Sequence, residues 1–348
     1  MRVLFLTYPR IGLNRGGLQI QIEETGRGLS KLGVDVVQYD PWKNQIPDVD
    51  ICHVFSIDSS MIYHVNRATS SAVPVILSPV LNLFGSRQLV SRMKQRMSVL
   101  PGVYSDLRRA GQMLSAATKI IALNSEEREM LGAVFQIELS RVCIVPNGIS
   151  AAFSGGDPRL FNNAYGISDF VLNVASIEPR KNQLSLVRAM KRLPYTLVLV
   201  GKCSPEHADY LKKVEDEAGD NVRVIGAIRH DDPMLVSCYR AAKLFVLPSF
   251  SEVMPLTINE AVLAGCRIAV SDRVPVSESI VPHSERFRPD DIEVIAHIID
   301  HKMQDRGANR GASQAVAAMP TWDEICQELV KIYRDTRAVH MPVHQALG

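Results

Sequence analysis

Several patterns that mark common site chemistries are missing from this 348-residue chain. Its six cysteines (Cys52, Cys143, Cys203, Cys238, Cys266 and Cys326) form no C-x-x-C pair, which fits buried reduced thiols better than disulfides or a zinc site. No G-x-G-x-x-G occurs, so the dinucleotide-binding fingerprint is lacking. No apolar run approaches the roughly 20 residues that a membrane-spanning helix needs. The opening MRVLFLTYPR is too short an apolar run for a signal peptide. A formal net charge of only +2 gives no electrostatic ground for a nucleic-acid partner. These absences lead us to expect a soluble, cytoplasmic protein without a nucleic-acid partner.

What is present is a regular alternation of apolar strands and amphipathic helices, the signature of an α/β fold with doubly wound parallel sheets. The length suits two domains. Strands are expected at Val3–Thr7, Val34–Tyr39, Asp50–Phe55, Val73–Leu77, Lys119–Leu123 and Val142–Val145. A second series runs through Phe170–Val174, Thr196–Val200, Val222–Ile225, Leu244–Leu247 and Arg267–Ser271. Between them, the Gly-, Ser- and Asn-rich stretch 151–168 reads as a linker. The expected organisation is therefore a domain over 1–150, the linker 151–168, a second domain over 169–320, and a closing helix and tail over 321–348.

Ligands of such folds bind beyond the C-terminal ends of the strands, and paired domains place them in the cleft between. This selects the loops Tyr8–Gly17, Ser176–Lys181 and Ser249–Leu256. The third lies in LFVLPSFSEVMPLTINEAVLAG, where a strand breaks at Pro248, a loop carries Glu252, and a helix carries Glu260. Carboxylates can accept from sugar hydroxyls, and the free amides of Leu256 and Thr257 at the helix start suit a phosphate. Together they suggest a nucleotide-sugar site. The alternative is two solvated charges, since acids at this spacing are common by chance.

In VASIEPRKN, Arg180 and Lys181 stand just past a strand end and can neutralise a diphosphate, the arginine as a fork and the lysine as a point charge. A solvated pair is the competing reading, although cations are disfavoured at the positive end of a helix dipole. Gly16 and Gly17 let a backbone approach a ligand closely, or form an ordinary turn. Asp48-Val49-Asp50 matches a D-x-D metal pattern but sits at the wrong end of its strand, so a turn is the better reading. His53 lies inside that strand and is either a satisfied core histidine or an acceptor-side proton-transfer group. The segment 86–113 holds six basic residues against Asp106 alone, and is either a solvated face or a surface for anionic lipid.

Taken together, SEVMPLTINEAVLAG (an E-x7-E motif), NVASIEPRKN, the Gly16-Gly17 loop, VPNG at Val145–Gly148 and the closing TWDEICQELVKIYR resemble glycosyltransferase family four over nearly the whole chain. The resemblance implies the GT-B fold: two Rossmann-like domains facing across a cleft, with the last helix crossing back to the first. It implies a retaining transferase, metal-independent and without a cofactor, that moves a hexose from a nucleotide-diphosphate sugar to an envelope polysaccharide or lipid-linked glycan. By match, Glu252, Lys181 and Arg180 are catalytic, and Glu260 holds the ribose. Gly16, Gly17, Leu256 and Thr257 complete the donor site, and His53 is the acceptor-side candidate. Ser176 stands where many members have arginine, Val253-Met254-Pro255 replaces Gly-Phe-Gly, and Ser78-Pro79-Val80 lacks a histidine many members carry. A catalytically silent nucleotide- or glycan-binding partner is the alternative. Base, sugar, acceptor, linkage and oligomeric state are not legible.

Overall fold

In a computed structural model of the chain, all residues are described except 10, 13–15, 41, 43–45, 82–105, 306–313, 315, 317–318 and 341–348. They fall into two compact units, Met1–Gly148 together with the chain from Trp322 onward, and Ile149–Thr321.

The first unit holds six parallel strands: β1 (Arg2–Thr7), β2 (Asp35–Gln38), β3 (Ile51–Phe55), β4 (Val75–Ser78), β5 (Lys119–Ala122) and β6 (Val142–Ile144), in the order β2-β1-β3-β4-β5-β6. Every residue of β3 and β4 is buried. That is why these strands read as mainly apolar rather than alternating, with His53 and Ser78 as buried polar members. Among the described residues, helices α1 (Gly17–Lys31), α2 (Ile62–Ser70), α3 (Asp106–Ala116), α4 (Ser125–Phe135) and a C-terminal helix (Trp322–His340) belong to the unit. The Asn124 side chain caps α4 by accepting from the Glu127 amide at 2.8 Å. The C-terminal helix packs on α1. Gly28 is needed there, because a Cβ would run into the side chain of Cys326. Lys31–Asp323 and Arg337–Asp50 ion pairs, each at 3.0 Å, flank that contact.

The second unit repeats the plan with β7 (Phe170–Val174), β8 (Leu197–Val200), β9 (Val222–Ile225), β10 (Ala242–Leu247), β11 (Arg267–Ser271) and β12 (Ser284–Phe287), ordered β12-β11-β10-β7-β8-β9 and parallel throughout. Its helices are α5 (Pro158–Tyr165), α6 (Gln183–Met190), α7 (Ala208–Glu217), α8 (Pro233–Ala241), α9 (Leu256–Leu263) and α10 (Ile292–Gln304). The strand order reverses between β7 and β10, and the loops beyond those two strand ends carry most of the expected site residues.

Three features depart from expectation. The stretch 151–168 is no linker: it holds the short turn Ala151–Ser154 and helix α5, and Phe153 and Phe161 are fully buried in the core of the second unit. Two aromatic anchors outweigh a turn-rich composition there. Strand β12 was not anticipated, because SERF is polar and only Phe287 is buried. Helix α2 follows β3 where no element was placed.

Candidate active site

Two loops meet beyond the ends of β7 and β10. The Phe250 amide donates to the Arg180 carbonyl at 2.8 Å, a direct backbone tie between them. Asn182 makes the second tie. Its backbone is left-handed (φ 57°), and its side-chain amide donates to the carbonyls of Pro248 at 3.1 Å and Pro289 at 2.6 Å. Asparagine is among the few side chains that enter this conformation readily. The turn it makes separates Pro179–Lys181 from α6.

The result is that Arg180, Lys181 and Glu252 converge. Lys181 Nζ donates to Glu252 Oε1 at 2.5 Å, and Arg180 Nη1 donates to Glu252 Oε2 at 3.2 Å and to the Ser251 carbonyl at 2.8 Å. Arg180 Nη2 donates to Glu178 Oε1 at 2.5 Å, and His207 Nε2 lies 3.6 Å from Glu178 Oε2. Burial by itself pushes the Glu252 carboxyl up, but Lys181 and Arg180 outweigh it and hold the group below its ordinary value. Burial likewise opposes the charge on Arg180, and Glu252 and Glu178 more than restore it. Glu252 is therefore an anion in a nearly closed setting. Behind Phe250, the Arg273 guanidinium lies 6.0 Å from the ring centroid, a cation–π contact at the same rim.

Glu260 lies in the second turn of α9 with both oxygens engaged. His230 Nε2 is 2.9 Å from Oε1, and the Tyr239 hydroxyl donates to Oε2 at 2.8 Å. Tyr239 is fully buried, and burial together with the adjacent Glu260 raises its hydroxyl well above the ordinary value. Leu256 and Thr257 open α9, whose N-terminus has no side-chain cap. A phosphate there would meet uncapped amides.

Gly16 and Gly17 lie in the first unit, at the start of α1, and a Cβ at either would meet nothing within 4 Å. Packing within the unit thus gives no reason for glycine at these positions. His53 is a core residue and not an accessible proton-transfer group. It is fully enclosed, with Nδ1 2.6 Å from the Tyr333 hydroxyl and Nε2 2.9 Å from Ser78 Oγ, and it stacks on Phe55. Burial lowers its pKa to about 3, so the ring is neutral. Asp50 of the D-x-D pattern accepts from the Arg2 amide at 2.7 Å and pairs with Arg337, a structural role. Of the basic segment 86–113, residues 86–105 lie outside the described residues, and the rest belongs to α3, which buries Ala110 and Met113. His297 and His301 stand four apart on α10, yet among the described residues no group of three metal-binding side chains forms.

Glu178, Asn182, His207, His230 and Tyr239 were not singled out from the sequence. Asn182 had a signal, as an asparagine directly after a strand-end loop. The others are ordinary helix or loop residues until the fold brings them to Arg180 and Glu260.

Comparison with known proteins places this site in context. Residues 161–317 match the family of glycosyl transferases group 1. A D-inositol 3-phosphate glycosyltransferase of Mycolicibacterium paratuberculosis is 27% identical over 245 residues, covering 64% of this chain and 54% of that protein. A serotype-specific mannosyltransferase of Escherichia coli is 30% identical over 209 residues, covering 56% of this chain and 25% of the relative. The chain thus spans about half or less of the length of these curated relatives. Among solved structures, sucrose-phosphate synthase from Thermosynechococcus elongatus superposes with a TM-score of 0.76 at 18% identity, covering 97% of this chain and 99% of the other. HepE from Anabaena in complex with UDP-glucose gives 0.75 at 15%, covering 96% and 100%. These likenesses establish the two-domain GT-B fold.

Proposed function

We propose, on the match of residues 161–317 to the group 1 glycosyl transferases, that the chain transfers a hexose, with retention of anomeric configuration, from a nucleotide-diphosphate sugar to an envelope polysaccharide or lipid-linked glycan. The observation that carries this reading is the convergence of Lys181, Arg180 and Glu252 at the strand-order reversal of the second unit. The leaving group of such a transfer is a nucleoside diphosphate. Lys181 and Arg180 stabilise the negative charge that grows on it as the glycosidic bond breaks. They supply the positive charge that a divalent ion provides in other transferases, so the reaction is metal-independent and uses no cofactor besides the donor. Glu252 accepts from the donor sugar's hydroxyls and fixes the ring. Glu260, held by His230 and Tyr239, accepts from the ribose. The amides of Leu256 and Thr257 face phosphate, and Gly16 and Gly17, in the first unit, allow close backbone approach to a phosphate or sugar.

Relatives support the reagent classes: HepE is described with UDP-glucose, and mannosyltransferases match by sequence. No described helix is long and apolar enough to cross a membrane. We place the protein in the cytoplasm, with the segment 86–113 at the inner membrane face when the acceptor is lipid-linked.

The test is incubation of purified protein with UDP- and GDP-sugars and envelope acceptors, with product mass and anomeric configuration read by mass spectrometry and NMR. Lys181→Ala, Arg180→Ala and Glu252→Ala should each lower kcat by about 10²–10³ while the fold persists. Undiminished rates in all three variants would remove the site assignment. A catalytically silent binder is the second reading, favoured by the pairing of both cations with Glu252. Binding of donor without any turnover would select it.

A further inference from the structure

The charges beyond β7 and β10 alternate in sign: Glu178, Arg180, Glu252, Lys181. Arg180 reaches both acids, and Lys181 reaches Glu252. Two cations against two carboxylates leave this cluster with no net charge before His207 is counted. The exposures of the Lys181 and Glu252 side chains are 14% and 9%, so water screens their attraction weakly. The cations proposed to hold a diphosphate are therefore already committed to a fixed anion. A diphosphate must take these contacts from Glu252 or share them against its repulsion.

The two ligands of the reaction cycle meet this obstacle differently. A nucleotide-diphosphate sugar carries hydroxyl groups on the ring next to the β-phosphate. These donate to Glu252 and replace the hydrogen bonds it gives up. A free nucleoside diphosphate brings no such donors and an additional negative charge, so it faces the carboxylate uncompensated.

We propose that Glu252 is a specificity-determining residue that sets the preference of the site for the sugar-bearing donor over the free nucleoside diphosphate. It does so by competing with the phosphates for Lys181 and Arg180. The same competition promotes departure of the spent diphosphate after transfer. This inference rests on the diphosphate-binding reading of Lys181 and Arg180 given above.

Calorimetric titration of the full chain tests it, with pyrophosphate, UDP, GDP, UDP-glucose and GDP-mannose as probes. Glu252→Gln should bind pyrophosphate, and whichever nucleoside diphosphate the protein takes, about tenfold more tightly than the native chain. The matching sugar donor should gain less, so its preference over the diphosphate should narrow by about tenfold. Glu178→Gln removes a competing charge from Arg180 without touching the sugar contact. It should tighten both ligands alike and leave their ratio unchanged. If Glu252→Gln does not fold, as read by circular dichroism, the tightening of pyrophosphate by Glu178→Gln still decides whether the acids compete.

The two levels of the argument fail separately. Pyrophosphate binding that is absent, or indifferent to Lys181→Ala, removes the diphosphate site itself. Pyrophosphate binding that Lys181→Ala weakens, but that the glutamine variants leave unchanged or weaker, overturns the competition and spares the site. A change in Glu178→Gln of the donor-to-diphosphate ratio as large as that in Glu252→Gln also overturns it, because discrimination would then be bulk charge.

Discussion

His230 Nε2 lies 2.9 Å from Oε1 of Glu260, which ties the loop after β9 to the second turn of α9. The Tyr239 hydroxyl holds the other oxygen. The carboxylate is thus oriented from both sides. In the proposed ribose-holding role, such a preset acceptor avoids the entropic loss of ordering a free side chain. His230→Ala should raise the KM for the donor about tenfold with little change in kcat, as expected when a contact shared by ground and transition states weakens. His230→Gln, which can still donate to Oε1, should recover part of the loss. Steady-state kinetics with the preferred donor checks this; a fall in kcat at constant KM would place His230 in the chemical step instead.

Asn182 joins three segments through one side chain. Asn182→Ala removes hydrogen bonds to two buried carbonyls and places an unfavourable residue in the left-handed region. The expected loss is about 2–4 kcal/mol of stability. Asn182→Gly loses the same hydrogen bonds but accepts the conformation, and should be about 1 kcal/mol more stable than the alanine variant. Urea unfolding measures both. Equal stabilities would mean that the backbone conformation at 182 contributes nothing. In either variant Lys181 loses its fixed approach to Glu252, so diphosphate affinity should fall as well.

How far these arrangements are visible in the sequence differs by feature. The central strands are legible, because strands buried on both faces must be mainly apolar: FVLNV and RIAVS stand where their apolar residues predict them, despite the buried Asn173 and Ser271. Polar edge strands such as β12 carry no such signal. The stretch 151–168 misled because composition reports average turn tendency, whereas Phe153 and Phe161 decide its burial. In the site, Glu252 and the Arg180–Lys181 pair were legible because each follows a strand end. His230, Tyr239 and Glu178 were not, because what distinguishes them is a partner distant in sequence. His53 carried two readings in the sequence, and only the Tyr333 and Ser78 contacts chose between them.

The first unit contains two buried groups with opposed pH effects. His53 has a folded pKa of about 3 against an ordinary 6.5, lowered by burial. The unfolded chain binds its proton more readily in that window, so the stability it supports is full above pH 6.5 and is lost as pH falls toward 3. Glu127 is raised from 4.5 to about 7 by burial, against the lowering effect of hydrogen bonds from the Leu123 and Leu81 amides. Its contribution has the reverse sign, being complete below pH 4.5 and lost as pH rises through 7. The two tryptophans, Trp42 and Trp322, both belong to this unit, and Trp322 is buried. Fluorescence-detected urea unfolding therefore reads the first unit. His53→Phe should be less stable at pH 7.5, yet lose stability less steeply than the native chain between pH 6.5 and 4. Glu127→Gln should flatten the opposite slope between pH 4.5 and 7. Parallel curves for the native chain and His53→Phe on the acid side would show that the histidine is not the group responsible.

The placement of 151–168 in the second unit makes a prediction of its own. Phe161 is fully buried, its ring lies 5.2 Å from that of Phe170 on β7, and its amide donates to Ser237 Oγ on α8 at 2.8 Å. A linker residue could be truncated at little cost. A core phenylalanine cannot, because its removal forfeits transfer energy and leaves a cavity that the surrounding strands and helices only partly fill. Phe161→Ala should therefore cost about 3–5 kcal/mol, while Tyr165→Ala, at a half-exposed ring stacked on Phe161, should cost less. Calorimetric unfolding of the two variants separates the alternatives. A loss under about 0.5 kcal/mol at Phe161, the range of ordinary surface changes, would return this stretch to the role its composition suggests. A loss of the full size, with the donor site weakened in parallel, would mean that α5 and α8 support the loop carrying His230 through the same core.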